Sequence, residues 1–416
     1  MKSEYPLIVS KNISRINPLS LDDYIKNGGI EALKKALKQT PEHIVSEITK
    51  SKLRGRGGAG FPTGLKQSFT KNSCSDCEKY IICNADEGEP GTFKDKYLME
   101  NDPFTVLEGI IISAYAINAK KGFIYIRGEY DKSIKTVENA VNQFYNYKFL
   151  GSNILNSNFS FDLEIFLGAG SYLCGEELTL IESIEGKRGY PRIKPPFPAE
   201  KGLWNKPTLV NNVETFANIP YIILNGSEKY LSIGTHESKG TKLFCVSGNV
   251  NKPGVYELPF GITLREIIFN ICQGMKDGFS FKGALIGGAA GTFIDETMLD
   301  CPLAYETLKE KDATLGSGAI IIIDDKINLK NLLSNILEFF KHESCGKCVP
   351  CRIGTTLIYE KSKNKNINED DLLWILKQTE YMAKTSLCPL GQSPILPVKS
   401  IIKYFSKEIV SYEQKN

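Results

Sequence analysis

The segments YIICN (80–84), GFIYIRG (122–128) and FDLEIFLG (161–168) decide the fold, because each is an apolar run of strand length and helical patterns separate them. The first spacer holds a helical stretch from about Thr105 to Ala116. The second runs from Ser133 to Tyr147, with Ile134, Val137, Val141 and Phe144 at helical spacing. This β-α-β-α-β alternation predicts an α/β domain, a parallel sheet wrapped by helices. Upstream, SLDDYIKNGGIEALKKALKQ reads as helix, and a second start follows at Thr40-Pro41-Glu42, with an N-cap threonine and proline at the first helical position. Downstream, 189–207 is turn-rich and holds several prolines. KLFCVSGNVNKPGVYEL (242–258), a short helix at Thr263–Cys272 and strands near Gly283–Ile286 and Ala319–Asp324 predict a separate small β-rich domain. From Asn328 onward the pattern is helical. The division expected is 1–230, 240–326 and 327–416.

The last segment encloses a cysteine quartet, Cys345, Cys348 and Cys351 in SCGKCVPCR and Cys388 in SLCPLGQSP. Gaps of two residues let one turn aim three sulfurs at one centre, and a distant fourth cysteine closes the site. The spacing reads as an iron-sulfur cluster. Zinc is the competing metal, although structural zinc sites usually bring their ligands as two separated pairs. The remaining seven of the eleven cysteines show no disulfide-framework spacing, so the chain is read as intracellular, in a reducing compartment. Met1 begins no signal peptide, and no apolar run approaches a membrane span, so membrane association is expected only through partners. With 51 basic and 48 acidic side chains, a net +3, there is no nucleic-acid footprint.

LRGRGGAGFPTGLK (53–66) packs five glycines into ten residues, 55–64. Gly55, Gly57 and Gly60 satisfy G-x-G-x-x-G literally, but the preceding EHIVSEITKSK is helical, so the strand that a Rossmann fingerprint requires is missing. Two readings remain. The bare backbone either approaches a ligand closely and turns N–H groups toward an anion, with Arg54, Arg56 and Lys66 adding charge, or serves as an interdomain hinge.

Polar sets follow two of the strands: Asn84-Ala85-Asp86-Glu87-Gly88-Glu89, and Gly168 through Tyr172, Gly175, Glu176 and Glu177. Ligands of open parallel sheets sit outside the carboxyl ends of strands, so both sets are expected at one crevice with Asn211 and Asn212. Acids capping the next helix are the plainer reading. Phe61, Phe69 and Phe197 stack on a base or belong to the core. The scattered His43, His236 and His342 argue against a histidine-based acid–base enzyme.

GRGGAGFPTGLK (55–66), ICNADEGEPGTFKDKYLMENDP (82–103), GAGSYLCGEE (168–177), GKRGYPRIKPPFPAEKGLWNKPTLVNNVET (186–215) and ESCGKCVPCRIGT (343–355) together resemble the NADH-binding flavoprotein subunit of respiratory NADH:quinone oxidoreductase, complex I, from about Ser20 to Ser400. The resemblance implies an FMN-binding α/β domain, a ubiquitin-like β-grasp domain and a helical bundle holding one 4Fe-4S cluster. It implies FMN on Gly55, Arg56, Gly57, Lys66, Asn84, Asp86, Glu87, Tyr172, Gly175, Glu176, Asn211 and Asn212. NADH would lie along Gly57, Gly58, Ala59 and Gly60, with Phe61, Phe69 and Phe197 near the adenine and Glu89, Glu177 and Lys194 near the ribose and nicotinamide. The cluster ligands would be Cys345, Cys348, Cys351 and Cys388.

Gln67, Leu178 and Asn249 depart from the family pattern. The implied activity is hydride transfer from NADH to FMN without a catalytic side chain, then single-electron transfer through the cluster toward quinone. The alternative is the NADH-oxidising subunit of a soluble or electron-bifurcating hydrogenase or formate dehydrogenase. Implied partners are other iron-sulfur subunits, including a 2Fe-2S thioredoxin-like one, with no nucleic acid and no direct membrane insertion. The implied place is the cytoplasm, peripheral on the inner face of the cell membrane. Glu89 and Glu177 near the nucleotide are expected to repel a 2′-phosphate and so favour NADH over NADPH.

Overall fold

A computed structural model describes residues 5–75 and 77–410. Four strands, β1 (Tyr80–Ala85), β2 (Lys121–Ile126), β3 (Asp162–Leu167) and β4 (Thr208–Asn212), form a fully parallel sheet in the order β3-β2-β1-β4. Central β1 is buried almost throughout, as a strand covered on both faces must be, whereas edge strand β3 alternates exposed and buried residues at its start. The three strands expected from the sequence are thus present. The fourth, TLVNN, is hidden in the sequence behind the proline-rich 189–207 segment and is too short to show its own pattern.

The expected helices appear as Pro103–Ile117 and Asp131–Asn146. Asp102 caps the first by accepting from Thr105 N at 3.0 Å, and Asn118, at φ 59°, ends it. That helix is buried on all sides except at Tyr115 and packs on helix Val213–Asn225. Contact is so close at Gly109 that a Cβ there would lie 2.0 Å from Phe216 O, so only glycine fits. Helix Lys94–Asn101, not read from the sequence, packs against both helices of this pair. The N-terminal helical run is broken into Leu21–Lys26 and Glu31–Ala36, because Gly28 turns the chain at φ 90°. Thr40 caps helix Pro41–Lys50 as its sequence predicts.

Five further strands, β5 (Thr241–Ser247), β6 (Gly254–Pro259), β7 (Phe281–Ile286), β8 (Thr292–Asp295) and β9 (Ala319–Asp324), form a mixed sheet in the order β6-β5-β9-β7-β8. Its first and last strands are parallel neighbours at the centre, the β-grasp arrangement. The helix expected at Thr263–Cys272 is a short, wide π-type turn over Glu266–Ile271. Helices Leu329–His342, Val349–Ser362, Glu369–Thr385 and Ile395–Ile409 make the C-terminal bundle. The last of them packs on β8, where Ser400 Oγ accepts from Phe293 N at 2.8 Å. Among the described residues no helix is long and apolar enough to cross a membrane.

The two sheets are joined by buried charge. Glu214, at the start of helix Val213–Asn225, accepts from Lys242 Nζ at 2.5 Å and from Leu243 N at 2.8 Å, both on β5, and pairs with Lys94 at 3.0 Å. All three side chains are essentially sealed from water. Burial raises the Glu214 pKa, but Lys242, Lys94 and Arg56 outweigh it and hold the carboxyl below its ordinary range. Removing the carboxylate strands the buried ammonium of Lys242 and leaves Lys94 with Asp95 alone. Glu214→Ala is therefore expected to destabilise the protein by about 3–5 kcal/mol, read as a fall in Tm or denaturant midpoint. A surface change such as Lys38→Ala should leave both within experimental scatter.

Candidate functional site

The first sheet reverses its winding at β1. β2 and β3 lie on one side and β4 on the other, with Cys83 beside Asn211 and Asn84 beside Asn212. A crevice opens at such a switch point, outside the carboxyl ends of the strands. Asn84 Nδ2 donates to Gly175 O at 2.8 Å, and its Oδ1 accepts from Asp86 N, so the two polar sets predicted at strand ends do meet. Asp86 carries both carboxylate oxygens buried without a partner, and burial pushes its pKa up to about 7 against the pull of Arg127. Asn211 Nδ2 is likewise buried and unpartnered. Unpaired buried acceptors and donors on one crevice floor are costly unless a ligand completes them.

The glycine loop runs over this floor between two helices, Pro41–Lys50 and Thr63–Asn72. It is clasped at its neck by Gly55 N to Phe61 O and Thr63 N to Leu53 O, each 2.8 Å. A Cβ on Gly57 would stand 3.2 Å from Asn212 Cβ, so bare backbone faces the β4 end. These contacts fix the loop in place, which removes the hinge reading. Two of its charges also depart from expectation. The Arg56 guanidinium turns away from the crevice, is fully buried, donates to Tyr230 Oη (2.9 Å) and Lys239 O (2.7 Å), and lies over the Phe260 ring. Arg54 donates to Gly60 O at 2.7 Å and covers Tyr305. Both anchor the loop to the β-grasp side, so Arg56 offers the crevice no side chain. Lys66 does reach inward, to Glu177 at 3.0 Å and Val210 O at 2.9 Å.

Several acids carry the plainer capping role. Glu87 accepts from Asp95 N and Lys96 N at the start of helix Lys94–Asn101, and burial pushes its pKa up to about 7. Glu176 caps helix Glu177–Ile184 through Leu178 N and Thr179 N. Glu89 is turned toward the second sheet, accepting from Tyr172 Oη at 2.5 Å and Ala290 N at 3.0 Å. Lys194 pairs with Glu176 at 2.9 Å and Glu177 at 3.0 Å, and burial of Glu177 is outweighed by Lys66 and Lys194, which keep it charged. Neither carboxylate expected to repel a 2′-phosphate is therefore free: Glu89 is a strut and Glu177 is shared by two lysines. Phe61, Phe69 and Phe197 are 47%, 55% and 51% exposed, which excludes the core reading and leaves them at the surface.

Sequence reasoning missed Lys94 and Asp95. Lys94 Nζ donates to Asn212 Oδ1 at 3.1 Å, and Asp95 accepts from Asn212 Nδ2 at 2.6 Å, fixing that amide on the crevice floor. Their signal was the FKDK of the 82–103 motif. Glu343 was also missed; it accepts from Tyr172 N at 3.0 Å, and the Tyr172 ring meets Phe339 edge-on at 4.9 Å. These contacts dock the helical bundle against the crevice.

The cysteines lie just beyond that dock. Cys348 and Cys388 are the N-caps of helices Val349–Ser362 and Pro389–Gln392, and Cys351 lies in the first turn of the former. Backbone N–H groups of Leu390 and Gly391 aim at Cys388, and Ser344 Oγ lies 3.2 Å from Cys351 Sγ. Burial pushes Cys351 and Cys388 up to about 11, with the charges of neighbouring quartet cysteines adding to it. A Cβ on Gly391 would lie 2.9 Å from Cys351 Cβ, so the two cysteine-bearing turns are in close contact. Lys347, between Cys345 and Cys348, donates to Pro191 O at 2.9 Å, tying the cysteine loop to the segment that carries Lys194. Among the described residues no three acidic, histidine or cysteine side chains close on a single ion.

Comparison with known proteins agrees with this geometry. Residues 48–221 match a family model described as the Nuo51 FMN-binding domain, 243–275 an SLBB domain, and 331–412 the iron-sulfur binding region of NADH-ubiquinone oxidoreductase-F. The last match favours the cluster over zinc. The F-type NADH-quinone oxidoreductase subunit of Aquifex aeolicus is 45% identical over 95% of this chain and 92% of its own length. A corresponding F-type subunit of Rhizobium meliloti is 43% identical over 97% of each. A subunit of the NADP-reducing hydrogenase of Solidesulfovibrio fructosivorans is 44% identical over 96% of this chain and 82% of its own. Among solved structures, an NAD+-reducing [NiFe]-hydrogenase in the H2-reduced state superposes with a TM-score of 0.85 at 35% identity, over 95% of this chain and 67% of the other. With FMN-binding, SLBB and 4Fe-4S regions in that order over nearly its whole length, the chain belongs to the family of F-type subunits of NADH-quinone oxidoreductase.

Proposed function

We propose that this chain is the NADH-oxidising flavoprotein subunit of a multi-subunit NADH dehydrogenase. The observation that carries the reading is the set of unpaired buried groups at the switch point, Asp86 and Asn211, lying beside a docked cysteine quartet. They fit FMN, whose ring edge offers both a donor and acceptors. The bare Gly55–Gly57 backbone, Lys66, Asn84, Gly175 and Asn212 complete the cradle. Arg56, Glu87 and Glu176 support it from behind by fixing the loop and the helix starts. When bound, FMN accepts hydride from NADH and releases electrons singly to the 4Fe-4S cluster.

The protein's own part is placement. Gly57, Gly58, Ala59 and Gly60 leave room for a nicotinamide to lie flat, and Phe61, Phe69 and Phe197 offer an adenine exposed rings. Lys194 and Lys66 hold Glu177 toward the ribose. Tyr172 and Glu343 keep the bundle, and with it Cys345, Cys348, Cys351 and Cys388, against the crevice edge. No acid, base or nucleophile is called for. Partners are other iron-sulfur subunits, including a 2Fe-2S thioredoxin-like one, which would hold the chain peripherally on the inner face of the cell membrane. The likeness to hydrogenase subunits supports a second reading, in which the electrons go to or come from a hydrogenase. Identifying the subunits that copurify decides between them.

Three outcomes are expected. Cys348→Ser or Cys388→Ser should lose most of the iron while NADH-driven reduction of a dye persists, because the flavin step precedes the cluster; unchanged iron in both variants refutes the ligand set. Gly57→Val places a branched side chain against Asn212 and should abolish NADH oxidation and weaken FMN retention, measured by dye reduction and flavin fluorescence. Glu177→Gln removes the charge that opposes a 2′-phosphate between two lysines. It should cut the ratio of kcat/KM for NADH over NADPH by roughly fivefold, ~1 kcal/mol; an unchanged ratio places discrimination elsewhere.

A further inference from the structure

Cys74 and Cys77 stand outside the quartet, in the connection from helix Thr63–Asn72 to β1, and neither is absorbed by the proposed electron path. They are spaced C-x-x-C, and the fold brings them together: Cys77 N donates to Cys74 Sγ at 3.1 Å. Both are partly exposed, unlike the buried Cys83, Cys174, Cys245 and Cys272. Burial and the Cys74 side chain raise the Cys77 thiol, and Lys79 pulls it back.

We propose that Cys74 and Cys77 are a reversible dithiol–disulfide site that adjusts the nucleotide mouth of the crevice. The chemistry is thiol–disulfide exchange with a low-molecular-weight disulfide. Cys77 thiolate attacks one sulfur of the external S–S bond, which breaks and expels one thiolate. Cys74, deprotonated in turn, attacks the mixed disulfide at Cys77 and expels the second. The external disulfide is reduced to two thiols, the protein pair is oxidised, and the two protons lost by the cysteines are taken up by the two leaving thiolates. The C-x-x-C spacing suits such exchange, because the contact of Cys77 N with Cys74 Sγ holds the second thiol close to the first.

The position gives the switch its consequence, which rests on the nucleotide reading of the crevice. Helix Thr63–Asn72 is tightly held at its start, where a Cβ on Gly64 would lie 2.3 Å from Thr49 Oγ1. Its end is held by the partly exposed pair of Lys71 with Glu42 and by Ser73 Oγ to Thr70 O. Closing the adjacent loop therefore moves the end that carries Phe69, and with it the contact to helix Pro198–Lys201 that follows Phe197. The quartet and the floor residues lie on other elements.

The test uses the full chain with its cofactors, equilibrated at graded ratios of glutathione disulfide to glutathione, then alkylated and digested with trypsin. Cleavage after Lys71 and Lys79 isolates 72–79, NSCSDCEK, which holds this pair and no other cysteine. The expected result is a peptide two hydrogens lighter and unalkylated at oxidising ratios, returning to two alkylated thiols on reduction. KM for NADH in dye reduction should rise by roughly threefold on oxidation, under ~1 kcal/mol, and stay put in Cys74→Ser. Two alkylated thiols, or glutathione adducts without ring closure, at every ratio overturn the site. A KM shift equal in wild type and Cys74→Ser overturns its link to the crevice. Absence of NADH oxidation in every sample refutes the function reading, while the peptide mass still decides the dithiol site.

Discussion

Glu214 binds the architecture together. Its carboxylate leaves the end of β4 at the first residues of helix Val213–Asn225 and meets Lys242 on β5 and Lys94 behind the crevice floor. A lone charge in that interior would be driven to neutrality, and the groups stay ionised because each faces an opposite charge and a hydrogen-bond partner. Lys94 passes the constraint on to Asn212 and Asp95, so the same network that joins the two sheets holds an amide at the site. Stability and site geometry are one problem here.

A second layer of buried acids performs the same work elsewhere. Glu108 accepts from Tyr24 Oη, Ile30 N and Leu33 N, fastening the N-terminal helices to the first core. Glu257 accepts from Ile8 N and Val9 N, tying the N-terminal segment to β6. Together with Arg56, these groups satisfy backbone donors and acceptors at segment ends that secondary structure leaves unpaired. Single buried atoms of Gln39, Arg56, Thr63, Gln67 and Ser386 stay unpaired, whereas at the crevice Asp86 leaves both carboxylate oxygens unpaired and Asn211 its amide nitrogen.

The docking of the bundle explains how two chemistries share one chain. Tyr172 belongs to the crevice and Glu343 to the cysteine domain, and a single backbone bond joins them. Lys347 adds a second tie, from within the cysteine loop to Pro191. Electron transfer weakens steeply with distance, so these small contacts matter more to function than their modest energies indicate.

Local pattern alone determined the strands at 80–84, 122–128 and 161–168, the Thr40 cap, the helical C-terminal segment and the cysteine quartet, because hydrophobic period and short ligand spacing are written in neighbouring residues. The meeting of Asn84 and Gly175 was legible too, as strand ends of a parallel sheet share one side. Tertiary structure decided the rest. TLVNN became β4 only because β1 offered an open edge, and KDKYLMEN became helix only with Glu87 as a cap at its start. Arg56 read as a ligand for an anion, yet Tyr230 and Lys239 drew it into the interface. Glu89 and Glu177 read as free charges, yet Tyr172, Ala290, Lys66 and Lys194 claimed them. The direction in which a charged side chain turns depends on partners distant in sequence, and only the folded chain brings those partners within reach.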